Sequence, residues 1–326
     1  MSSTLTDTES SRTDREPGRR LLGGLNWLVA RQHRTALLGI LAVAVVGAGW
    51  LLYQRGKMIQ VLEAAGWPDK ELAQPTFSSG GVSLTLSALG TLPVILAVFL
   101  GAPLIAGDQE HGTAQLVTTQ SVSGRRWLAA KFVWCYSAVL LAGVVLSVIF
   151  TWWWKPYRSV FSSRWSEGTI FDNTGPMLPA FCLFLTAAGI VIGLLLRRVL
   201  MSMAVTFLFA VFFEVAWGEV RMYLAPSRTL AYPLEADQPA QLNESYELDR
   251  WIGSADGHLY GWGLCSKTSE AASDACVKEH GIVNNVFEYV GFDQMPAMQW
   301  TGAGILLVAT AALTAFALWR VSRRPL

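Results

Sequence analysis

Apolar residues run along this chain in six long blocks, and the polar residues are confined to the stretches between them. A helix needs roughly 20 consecutive apolar residues to cross the hydrocarbon core of a bilayer. The blocks are Thr35–Tyr53, Leu84–Ala106, Phe132–Trp152, Met177–Leu196, Leu200–Trp217 (running on towards Leu224) and Thr301–Trp319. Each predicts a membrane-spanning helix, so the expected fold class is an all-α membrane protein with six transmembrane helices. Pro176 stands just before the fourth block, where a helix start tolerates proline. Pro93 stands in the middle of the second, where the missing N–H predicts a kink. Only Arg197 and Arg198 separate the fourth and fifth blocks, which predicts a tight helical hairpin. Gly189 and Gly193 form a GxxxG pair on the fourth, suited to close helix packing within the fold or to a dimer seam.

Composition supports the same class. Of 326 residues, 52% are hydrophobic and 15% charged, against about 25% charged in a soluble domain. The net charge of +1 argues against nucleic acid as a partner. With both termini cytoplasmic, Arg12, Arg15, Arg19, Arg20, Arg31, Arg34, Arg125, Arg126, Lys131, Arg197, Arg198, Arg320, Arg323 and Arg324 all fall on the inner side. The positive-inside rule favours that orientation in the inner or plasma membrane. Tryptophans fit two interfacial belts: Trp50, Trp152, Trp153, Trp154, Trp217 and Trp300 outside, and Trp27, Trp127 and Trp319 inside. The first apolar block is too long for a secretory signal and lacks a small-x-small cleavage site, so it is expected to remain as a span. The chain then divides into a disordered cytoplasmic tail (1–20), a membrane domain with spans one to five (21–220), an extracellular cap (221–299), and span six with a cytoplasmic end (300–326).

The cap segment is the longest polar stretch. In it His258, Cys265, Cys276 and His280 follow the pattern His-x6-Cys-x10-Cys-x3-His. An oxidising compartment favours a Cys265–Cys276 disulfide, with free thiols or a zinc site as the alternatives. No metal is expected. Gly261 to Thr268 (GWGLCSKT) approaches the phosphate-loop pattern but lacks the glycine before the lysine and has no strand–helix context. No other nucleotide-binding loop is present, so no ATP hydrolysis and no cofactor are expected in this chain.

The loop from Gly107 to Lys131 (GDQEHGTAQLVTTQSVSGRRWLAAK) is shorter and more patterned. Asp108 and Glu110 follow the second span, Gly112 breaks its helix, and Thr113 suits the cap of a short helix through Gln115–Thr119. Ser121 or Ser123 suits the cap of the next helix, which opens with Arg125, Arg126 and Trp127. A short helix lying across the membrane face fits either a docking element or a plain connector.

This loop carries a resemblance. Residues 101–113 (GAPLIAGDQEHGT), Thr119 to Trp127 (TQSVSGRRW) and Lys131, together with Trp27 to Arg34 (WLVARQHR), resemble the signatures of ABC-2-type exporter permeases of actinobacteria. The resemblance implies six helices per subunit and a homo- or heterodimer of permeases. It also implies a separate ABC ATPase subunit that holds ATP and Mg. It places Glu110, His111, Gly112 and Thr113 at the turn into an ATPase-coupling helix and Gln120, Arg125 and Arg126 at its exit, with Asp108 among the coupling residues. Trp27, Arg31, Gln32 and Arg34 would lie on an elbow helix along the inner leaflet. Two positions depart from the pattern: Asp108 where glutamate is usual, and Gly124 where arginine is common. The shorter acid would reach a different partner on the ATPase. The implied activity is export of an amphipathic substrate, without covalent chemistry in this chain; a permease-like immunity or sensor subunit would share these features.

Glu214, in AVFFEVAW of the fifth span, is an intramembrane acid. Such a group is a candidate for the transport path, or else a structural acid near the outer end paired with Arg221 or Arg158. An intramembrane enzyme would need paired acids, histidines or a Ser/Lys set in its spans, and none of the four histidines lies in one.

Overall fold

The computed structural model describes residues 31–70, 80–112, 123–161 and 163–323. Six helices in it are long and apolar enough to cross a membrane, and they coincide with the six apolar blocks. All run further than the blocks except the fourth, because polar residues at either end extend the helices into the interfaces. Span one is α1 (Arg34–Ala64). Span two is α2 (Gly80–Leu96), a π turn at Ala97–Gly101, and α3 (Ala102–Glu110). Span three is α4 (Gly124–Trp154), followed by the one-turn helix α5 (Gly168–Phe171). Span four is α6 (Met177–Leu196), span five is α7 (Val199–Val220), and span six, after the cap, is α9 (Met295–Arg323). Alternating directions gather Arg125, Arg126, Arg197, Arg198, Arg320 and Arg323 at one end of the bundle, here the basic end, and leave the cap at the other.

Span four is the centre of the bundle. Met177 through Val191 form an unbroken buried run, because α6 packs against spans two, three, five and six. This explains why its sequence is apolar all round with no polar face. Spans one and five lie at the periphery and turn large apolar side chains outward, among them Val46, Leu200 and Phe212. Such surfaces suit lipid or a second subunit.

Helix α2 continues through Pro93 to Leu96, and a π turn follows it, where the Ala102 N–H reaches back five residues to the Ala97 carbonyl. The glycine pair of α6 packs on this turn within the subunit. A Cβ on Gly189 would lie 2.6 Å from the Ala97 carbonyl oxygen, and one on Gly193 would overlap the Ala102 carbonyl. Gly101 answers from the other side, 2.7 Å at its own Cβ position from the Thr186 oxygen. Of the two uses open to the GxxxG pair, this is the internal one.

The tryptophan belts are corrected in part. Trp50, Trp152, Trp300 and Trp319 are exposed at the interfaces, but Trp127, Trp153, Trp154 and Trp217 are buried inside the fold. Trp217, for example, donates to Asp172. An indole at a helix end serves packing as readily as lipid when its N–H finds a partner.

At the cap end, the segment after α5 folds back into the bundle. Gln299 of α9 donates to the carbonyls of Phe171 (2.9 Å) and Thr174 (3.2 Å). Ser147 of α4 donates to the Gly175 carbonyl at 2.6 Å. These side chains satisfy backbone groups that lie too deep for water.

The cap itself contains a four-stranded antiparallel sheet, order β1-β4-β2-β3 (Arg228–Pro233, Ser245–Ser254, Leu259–Gly261 and Ile282–Gly291 for β1 to β4). Its helix α8 (Glu270–Glu279) precedes β4. From the sequence this region is legible only as a cap, because β4 and the end of β2 bury consecutive residues and do not alternate. Cys265 and Cys276 form a disulfide, Cα–Cα 5.4 Å, that ties α8 to the segment before it. His258 and His280 flank the Tyr260 ring instead. Closing a loop of this length stabilises a fold by about 3 kcal/mol on the chain-entropy account. Replacing both cysteines by serine is therefore expected to speed limited proteolysis within the cap while leaving the membrane helices intact, as read by fragment mass.

Candidate functional site

The described residues among those singled out after the second span lie at the basic end, and both acids among them bond within the chain. Asp108 sits on the last turn of α3. Its Oδ1 accepts from Gln32 Nε2 at 3.2 Å, and its Oδ2 is ion-paired with Lys131 Nζ. Lys131 is 1% exposed, donates also to the Leu104 carbonyl at 3.0 Å, and lies 4.5 Å from the centroid of the Trp127 ring. One carboxylate thus joins three chain segments: the stretch before span one, the end of span two and the start of span three. His33 sits beside this pair. Burial, and next the Lys131 charge, push its ring down to about 4 against the pull of Asp108, so it is neutral at ordinary pH.

Glu110 makes the second tie. Its carboxylate accepts from the Val199 N–H at 2.7 Å, at the first turn of α7. A carboxylate there satisfies an otherwise unpaired N–H and faces the positive end of the helix dipole. The hairpin turn beside it is made by Arg197, which ends α6 in the left-handed region at φ 59°, and by extended Arg198. Glu110 therefore clamps span two to the turn between spans four and five.

The other expected residues fall as follows. His111 contacts the Gly107 carbonyl through Nδ1 at 2.7 Å, and Gly112 ends the helix at φ +70°. Arg125 and Arg126 are exposed on the first turn of α4, which Ser123 caps by accepting from the Arg126 N–H. Arg31 and Gln32 are helical, and His33 makes a turn before Arg34 opens α1. Trp27, Thr113 and Gln120, with the short helix expected through Gln115–Thr119, lie outside the described residues. Sequence reasoning placed Lys131 at the start of span three but missed it as the partner of Asp108. The signal was there: a lone lysine inside the apolar run AAKFVW needs a buried acid.

A second polar site lies towards the cap end, where a cavity of about 330 Å³ opens between α2, the α5 segment, α6 and α7. Glu214 lines it. The bases expected to pair with Glu214 are engaged elsewhere: Arg221 binds Asp172 at 3.0 Å and Arg158 binds Glu244 at 3.3 Å. Asp172 accepts from Trp217 Nε1 (3.0 Å) as well. Burial lifts the Asp172 carboxyl to about 6, with Arg221 and then the Trp217 hydrogen bond holding it back. Asp172, an acid in a short loop five residues before a helix start, was not singled out from the sequence.

Five apolar helices around a buried fourth span, with polar ties at one end and a cavity between spans two and five, make this a multi-pass membrane protein. Residues 41–221 match the family model described as ABC-2 membrane transporter related, which covers more than half of the chain, and the chain belongs to that family. Comparison with curated proteins and with solved structures returned no match. The family makes the chain a permease subunit of an ABC transporter type.

Proposed function

We propose that the chain is the membrane-spanning subunit of an exporter driven by a separate ABC ATPase, which docks at the basic end on the cytoplasmic side. The observation that carries this reading is the junction at Asp108. A partner pressing on the 107–131 loop displaces a residue bound at once to the segment before span one and to span three, while Glu110 passes the same displacement to span five. ATP closure in the partner would thus reach four spans through two carboxylates, and the path would open outward or to the outer leaflet. The exposed apolar faces of spans one and five suit a second permease copy, identical or related. The disulfide in the cap supports an oxidising, external location for that end. No residue here is assigned covalent chemistry, and ATP with its Mg belongs to the partner.

Asp108 and Glu110 hold the permease together, so among the described loop residues the exposed Arg125, Arg126 and His111 are the ones assigned to meet the ATPase. The test is co-purification of tagged full-length chain in mild detergent from its native host. Wild type is expected to bring down a soluble ATPase, and R125E/R126E to lose at least about tenfold of it at unchanged gel-filtration behaviour, a change worth about 1.4 kcal/mol. Equal recovery with the variant removes the arginines from the interface. No ATPase with wild type, even after cross-linking, removes the exporter reading.

A further inference from the structure

The cavity between spans two and five is one-sided in its charge. Its polar lining consists of the carboxylates of Asp172 and Glu214, the hydroxyls of Ser87, Thr91 and Thr169, and Asn173, with no lysine or arginine among the described residues that line it. Both Asp172 oxygens are occupied, one by Trp217 Nε1 and one by Arg221. That ion pair is internally neutral, so the uncompensated group is Glu214, which has no hydrogen-bond donor among the described residues. The Thr91 hydroxyl spends its proton on the Ser87 carbonyl at 2.9 Å and turns only acceptor capacity to the cavity. Two aromatic rings complete the wall: Phe181 and Trp217 meet edge to face, centroids 5.5 Å apart.

An unpaired acid between apolar helices either keeps its proton or meets a counter-charge. With no lysine or arginine among the described lining residues, and with aromatic faces that attract cations beside the acid, the cavity favours a cation. We propose that this cavity binds an organic cation with a flat apolar body, its charge against Glu214 and its body along Phe181 and Trp217. The volume is in the range that holds a small ligand. The proposal rests on reading the chain as a transport subunit, and it gives that subunit a substrate class, cationic amphipaths.

The test uses full-length, nuclease-treated protein in nanodiscs, with ethidium as the probe and empty nanodiscs subtracted. Neither ATPase nor nucleotide is present, so failure here leaves the ATPase-docking reading untouched, and failure of that reading leaves this result standing. Wild type is expected to give saturable enhancement of ethidium fluorescence. E214Q should weaken it at least about tenfold, close to the loss of one ion pair of about 1.4 kcal/mol. E214D, which keeps the charge, should restore most of the affinity, and E219Q, an exposed acid on the same helix outside the cavity, should match wild type. The uncharged N-dealkylated parent of ethidium should bind at least about tenfold more weakly at mildly alkaline pH. Equal affinity for that neutral parent, or wild-type affinity in a folded E214Q, overturns the proposal.

Discussion

Asp108→Ala is expected to destabilise the folded chain by about 3–5 kcal/mol, the usual cost of removing one member of a buried ion pair. The size follows from what is left behind. Lys131 has no exposed side-chain surface and Asp108 little, so water cannot replace the lost carboxylate. Among the described residues Lys131 keeps the Leu104 carbonyl and the Trp127 ring, and neither carries a full negative charge. The prediction has a second limb that separates charge from packing. Asp108→Ala combined with Lys131→Met should recover most of the loss, because apolar replacement of both partners of a buried pair is often neutral. Unfolding in graded SDS, followed by tryptophan fluorescence, measures both. A double variant no better than the single would mean that shape at the junction, and not its charge, is what matters.

Gly189→Leu should be nearly as damaging, at about 3 kcal/mol, the upper end of overpacking costs. Its Cβ would stand 2.6 Å from a backbone oxygen, and backbone cannot rotate aside as a side chain can. Either α6 moves away from the π turn or the turn itself reverts to regular helix. Gly304, with open space around it on the outward face of α9, is the matched control, and Gly304→Leu should change little. The same SDS assay reads the difference. If the glycine pair instead served an interface between copies, Gly189→Leu would change the oligomeric mass and leave the monomer's stability alone.

How much of this was legible in the sequence depended on the range of the interaction. The spans were readable because a bilayer demands a local quantity, a run of apolar residues of fixed length, and Met177–Leu196 matches its helix end for end. The Ser123 cap was readable for the same reason, being a contact three residues long. Asp108 could be named from its place in a family-like motif, but its orientation could not. Its partners are 76 and 23 residues away, and nothing in the loop shows that it turns inward to them and not outward to an ATPase. Glu110, bonded 89 residues away at Val199, is the same case. The cap strands were missed because β2 carries a register shift between Glu247 and Asp249, which breaks the period-two alternation by which strands are recognised. The Trp belts were over-read because a tryptophan at a span end looks alike in sequence whether it faces lipid or core.

The cap bears on how the spans beneath it can travel. Strand β1 follows span five closely and β4 leads directly into span six, and the two pair along six residues from Arg228↔Tyr289 to Pro233↔Asn284. Arg228 is clasped to Asp293 at 2.8 Å, and Gln294 to the Pro226 carbonyl at 2.9 Å. Two rods bolted together at their tips cannot splay there independently. A displacement of either span at the cap end is therefore expected to carry the other with it, while at the opposite end span five is tied to span two by Glu110.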